Sequence, residues 1–128
     1  MSEPLSRAAA TKRERLGEGV VVVDRVLFRL GQQGLARLSP ATVVELSALV
    51  QTAHNAAMVK VERELEVLST QVKRYLDRDP LFQTERYLDT LNRAWLHNQA
   101  ARRAFETGLD VKTQGALLGV MRRTYEWV

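Results

Sequence analysis

Apolar residues recur at spacings of three and four along most of the chain, and the runs are punctuated by only three prolines and seven glycines. That period is the helical one. The first run, Pro4 to Arg15, is polar and helix-prone, with Leu5, Ala8, Ala9 and Leu16 as its apolar side. Gly17 and Gly19 flank Glu18 and are expected to loosen or break the helix, since each glycine costs about 1 kcal/mol against alanine. Next comes VVVVDRVLFRL, from Val20 to Leu30. Four consecutive valines suit a strand, but a lone strand in a helical chain has no partner for its backbone groups. Read as a helix, Val20, Val23, Leu27 and Leu30 form one stripe, widened by Val22 and Val26, and the helix ends near Gly31 or Gly34.

Ser39-Pro40 opens the next run. Serine caps orphan backbone N–H groups, and proline fits the first helical position, where its missing N–H does no harm. From Pro40 to Arg78 the stripe Val43, Leu46, Val50, Ala53 and Ala57 continues into Val61, Leu65, Leu68, Val72 and Tyr75. Unbroken, this helix would be about 58 Å long at 1.5 Å per residue. The stripe thins to alanine at TAHNAAM, and asparagine tolerates the left-handed conformation that ends helices. Two antiparallel helices hinged at Asn55 to Ala57 are therefore favoured over one long helix. Asp79-Pro80 repeats the cap-and-proline logic, with Thr84 as a rival start if PLFQ is an extended corner. The following helix carries Tyr87, Leu88, Leu91, Trp95, Leu96 and Phe105 and stops at Gly108, and Asp110 caps a last helix. The expected fold is all-α: one domain over 1–128, a compact bundle of five to six helices with antiparallel hairpins, residues 1–18 forming a loosely packed N-terminal helix.

Composition narrows the chemistry. With 45% hydrophobic residues, a chain of 128 fills a core without disulfides or a structural metal. The absence of cysteine excludes a thiol nucleophile, a disulfide framework and cysteine-ligated zinc or iron–sulfur sites. The opening MSEPLSRAAATKRERLGEG lacks a signal peptide's apolar segment, and Val20 to Leu30 is interrupted by Asp24, Arg25 and Arg29. A soluble cytoplasmic protein with no membrane partner is expected. The net charge of +4 raises a nucleic-acid reading. Acids are interspersed with bases throughout, however, as on an ordinary solvated helical surface. Lys12, Arg13, Arg15, Arg102, Arg103, Arg122 and Arg123 are the candidate phosphate contacts of that alternative. No aromatic platform or recognition motif accompanies them.

Catalysis needs converging groups, and the sequence announces none. His54 and His97 fall on separate helices without carboxylate or histidine partners at ligand spacing, and read as turn and helix-face residues. Glu62 and Glu66 flank Arg63 on a solvated face, with Glu64 well away from both. No glycine-bracketed serine or phosphate-cradling glycine loop is present. The reading is a non-enzyme without cofactors or metal. Gly115 and Gly119 would let two helices approach closely, in ordinary packing or a dimer contact. Tyr125 and Trp127, in RRTYEWV, are costly to leave in water and are expected to dock on the core, a second copy or another protein. These four are the candidate partner contacts of a protein–protein interaction module, an adaptor or assembly subunit of a cytoplasmic bacterial complex that binds a protein partner or itself.

GLARLSP, QTAHNAAMVKVERELEVL, RYLDRDPLF and the closing RRTYE together resemble a helical region of uncharacterised bacterial proteins that carry a SWIM-type zinc finger. The finger's own C-x-C…C-x-H pattern is absent, so the resemblance does not carry zinc binding or finger-based DNA contact over to this chain. It implies a helical accessory or interaction module working beside other domains or chains, and a corner at Asn55.

Overall fold

A computed structural model describes residues 3–107, with side chains from residue 11 onward. Among the described residues there are four α-helices and no strand: α1 (Glu3–Gln33), α2 (Pro40–Asn55), α3 (Val59–Leu76) and α4 (Thr84–Glu106), with a 3-10 turn at Leu35–Arg37 between α1 and α2. Each helix runs antiparallel to the one before it. Arg29 pairs with Glu45 and Gly19 lies under Ala56, so α1 and α2 run in opposite directions. Gly17 meets Phe105 while Gly31 meets Leu91, which sets α4 antiparallel to α1 and closes the ring.

Four helices stand where five to six were expected. The first reason is that Gly17 and Gly19 do not interrupt α1, which is continuous for 31 residues. Both glycines are sites of close approach. A Cβ on Gly17 would lie 2.7 Å from the Phe105 ring, and one on Gly19 would lie 3.3 Å from the Ala56 Cβ and 3.4 Å from the Met58 sulfur. The close packing they permit offsets their cost in helix propensity. The second reason is that the helix expected after Asp110, with its break at Gly108, falls outside the described residues.

The core is aliphatic. Val20, Val23, Leu27 and Leu30 of α1, Leu46 and Leu49 of α2, and Val61, Leu65, Leu68 and Val72 of α3 are each at most 2% exposed. Each such side chain contributes roughly 1.5–3 kcal/mol by leaving water. The expected α1 stripe is buried as read, and Val26 joins it, but Val22 is 40% exposed: the apolar arc is narrower than four valines suggested.

The corners explain the topology. At the α2–α3 corner the N–H of Ala57 donates to His54 O (3.0 Å) and that of Met58 to Ala53 O (2.9 Å), the Schellman closure of a helix. The hinge lies where the sequence placed it, but the left-handed residue is Ala57 (φ 57°), not Asn55, which completes α2. The end of α3 repeats the pattern, with Arg78 at φ 55° and the N–H groups of Arg78 and Asp79 donating to Tyr75 O and Arg74 O. Ser39 and Pro40 start α2 as expected, and the Ser39 N–H donates to Thr42 Oγ1 (3.1 Å). Asp79-Pro80 does not start α4. Instead, the Leu81 N–H donates to Asp79 Oδ1 (2.8 Å) and the Phe82 N–H to Asp79 O (3.0 Å), making a turn. The rival reading holds: PLFQ is a corner, and α4 begins at Thr84.

Candidate partner-binding groove

Of the residues expected to contact a partner, Gly115, Gly119, Tyr125 and Trp127 lie outside the described residues, as do Arg122 and Arg123. The remaining basic candidates fall at one end of the α1–α4 seam. Lys12, Arg13 and Arg15 are exposed on α1, and Arg102 and Arg103 on the last turns of α4. Two are already engaged within the chain. The Arg13 guanidinium sits 5.6 Å over the Phe105 ring, a cation–π contact. Arg102 pairs with Glu106 (2.9 Å) and Asp24 (3.3 Å). Asp24 also accepts from Gln99 (2.8 Å). Lys12, Arg15 and Arg103 make no ion pair among the described residues.

The histidines do not converge. His54, exposed at the α2–α3 corner, meets Glu62 (2.7 Å) across it, and His97 is half-buried on α4. No group of three or more His, Asp or Glu side chains that could hold a metal forms among the described residues. None of the described helices is long and apolar enough to cross a membrane.

The groove between α1 and α4 was not foreseen. Leu27, Phe28, Gly31, Leu88, Leu91 and Trp95 line a depression of about 320 Å³, with Gln32 and Asn92 as its polar members. Gly31 has no side chain and leaves the floor low. Phe28 and Leu88, respectively 57% and 54% exposed, form opposite walls with Trp95. Along α1 the exposed Val21, Arg25 and Phe28 share one face with Gln32; along α4 Leu88, Asn92, Trp95 and Gln99 do the same. Leu88 and Leu96 were expected inside the α4 stripe, yet Leu96 is also 57% exposed. The buried face of α4 is instead Tyr87, Thr90, Leu91, Ala94 and Asn98. Polar residues took positions that an apolar count alone assigned to leucine. The available signal was Phe28, which lies seven residues from Val21 and off the Val20–Leu30 stripe.

Residues 19–119 match a family described as the YehQ four-helical bundle domain. That description concerns the bundle and says nothing of a zinc finger. No curated protein and no solved structure matches the chain. The match spans most of the sequence, from within α1 through the whole of α2, α3 and α4, so the chain belongs to the YehQ four-helical bundle domain family.

Proposed function

We propose that this bundle is a non-enzymatic protein–protein interaction module, an adaptor or assembly subunit of a cytoplasmic bacterial complex, whose α1–α4 face receives an amphipathic helix of a partner protein. The observation that carries the reading is the apolar groove walled by Phe28, Leu88 and Trp95, with Val21 exposed beyond it. Clustered exposed apolar side chains on a monomer mark interaction surfaces, and a helix laid in an apolar groove is a recurrent recognition mode. The two outward faces carry Arg25 and Arg103 but also Glu18 and Glu85, none of them in an ion pair among the described residues, so apolar shape and not charge selects the partner. The matching helix therefore carries apolar residues at helical spacing. The resemblance to helical regions of SWIM-type zinc-finger proteins supports the same role, as a module beside another domain or chain.

The test uses a photo-crosslinking residue at Asn92 with Phe28→Glu and Leu88→Glu variants, both at exposed positions that leave the core untouched. The expected result is one crosslinked amphipathic helical segment of another protein, lost in both variants at unchanged helicity. A crosslink to a second copy of the chain would replace the partner with self-association. Equal capture by wild type and both variants would overturn the groove reading.

A further inference from the structure

The second seam of α4 carries different chemistry. The corner at residues 77–83 sends α3 and α4 in opposite directions, so Arg74, third from the end of α3, stands beside Arg86, third in α4. With Thr70, Gln71, Thr90 and Arg93 they line a cleft of about 390 Å³, a volume in the range of small-molecule sites. The cleft's one carboxylate, Asp89, is paired with Arg93 at 2.8 Å. Arg74 and Arg86 make no ion pair among the described residues. Two guanidinium groups without a counter-ion among the described residues thus line the same cleft, and an anion held by both gains two charge-assisted contacts. The planar fork of arginine suits the oxygens of a phosphoryl group.

The rest of the lining offers acceptors. Gln71 is buried, 9% exposed, and its Oε1 has no hydrogen-bond partner among the described residues. The Thr70 and Thr90 hydroxyls already donate to Glu66 O (3.2 Å) and Arg86 O (2.8 Å), so each has only lone pairs left to offer. An anion without hydroxyl donors satisfies none of these three oxygens, whereas ligand hydroxyl groups are of the kind that can. We infer that the α3–α4 cleft binds a hydroxyl-bearing phosphate monoester, its phosphoryl group between Arg74 and Arg86 and its hydroxyls toward Gln71, Thr70 and Thr90.

Calorimetric titration of the full chain at constant ionic strength tests this, with glucose 6-phosphate, inorganic phosphate, gluconate and glucose as probes. Saturable binding of glucose 6-phosphate, weaker binding of inorganic phosphate and none of glucose is the expected order. Gluconate binding as tightly as glucose 6-phosphate would overturn the phosphoryl assignment. Arg86→Gln is expected to weaken glucose 6-phosphate binding about tenfold, the size of one charge-assisted contact, and R74Q/R86Q to abolish it at unchanged helicity. Arg103→Gln, on the other side of α4, is the control that retains it. Should R74Q/R86Q fail to fold, Arg86→Lys, which keeps the charge and loses the fork, is expected to weaken binding several-fold. Gln71→Leu should reduce the preference for glucose 6-phosphate over inorganic phosphate. Equal binding by wild type and Arg86→Gln, or no saturable binding of either phosphate, would overturn the site.

Discussion

Replacing Tyr87 with phenylalanine should stabilise this protein, although it deletes a polar group from a buried tyrosine. Tyr87 is 2% exposed and packs its ring 6.3 Å from that of Phe82, which in turn lies 5.2 Å from Tyr75. The hydroxyl oxygen is buried and has no hydrogen-bond partner among the described residues. A buried, unsatisfied hydroxyl costs about 1–3 kcal/mol of desolvation. Deleting one oxygen opens a void of roughly 10 Å³, which at about 24 cal/mol per Å³ returns only some 0.2 kcal/mol of that gain. The expected net effect of Tyr87→Phe is about 1 kcal/mol of added stability, with a rise in Tm of roughly 3–6 °C for a domain of this size. Urea unfolding followed by circular dichroism measures it, with the slope m unchanged. The pH dependence supplies an independent arm. Burial raises the Tyr87 pKa above the ordinary tyrosine value of about 10. A raised folded-state pKa contributes stability that is complete below about pH 10 and is lost as pH climbs through the folded value, because the unfolded chain ionises first. Tyr87→Phe removes that loss, so its advantage over wild type should widen between about pH 9 and 11. A variant about 1 kcal/mol less stable than wild type, with a constant difference across that pH range, would refute the reasoning and show the hydroxyl to be hydrogen-bonded.

Three further outcomes follow from the fold. Ala57→Gly should add about 0.5 kcal/mol in the same urea assay: alanine at φ 57° bears roughly 1 kcal/mol of left-handed strain, partly offset by glycine's greater freedom in the unfolded chain. Gly19→Leu should cost about 1–3 kcal/mol, since even its Cβ would stand 3.3 Å from Ala56, whereas Glu18→Leu on the exposed side should change stability little. Amide hydrogen exchange should be slowest between Leu65 and Val72 of α3 and faster through α4, whose buried face includes Tyr87, Thr90 and Asn98.

Where the buried stripe is mainly aliphatic, period located its apolar members: Val20, Val23, Leu27 and Leu30, and Val61, Leu65, Leu68 and Val72, were found by counting threes and fours, while buried Ser69 and Gln71 were not. The corners were legible because Ser39-Pro40 and the alanine-rich TAHNAAM carry local backbone chemistry. Gly17 and Gly19 were misread because propensity is local, and the reason for a glycine inside a helix sits on another helix, at Phe105 and Ala56. The same non-locality hid both candidate sites. Phe28 becomes a groove wall only against Leu88 and Trp95, and Arg74 and Arg86 come to line one cleft only across a corner whose start Asp79-Pro80 disguised. Single positions announced neither site.

Helix α4 is where these observations meet. It walls the apolar groove on one side and the arginine cleft on the other. It also borders every buried side-chain atom that lacks a partner among the described residues: Tyr87 and Asn98 lie on it, and Gln71 faces it from α3. Asn98 is fully buried, donates to Val20 O (3.1 Å) and leaves its own oxygen unpaired. A helix held by such contacts is worth less per residue than one held by Leu65, Leu68 and Val72, because each orphaned oxygen subtracts from the burial that surrounds it. Asn98 in return helps fix the level at which α4 meets α1, since a slide of one turn would leave its buried amide N–H without the Val20 carbonyl. Helix α4 thus holds two chemically different surfaces at a defined register. Binding on either seam therefore engages the same helix, at a level set by Asn98.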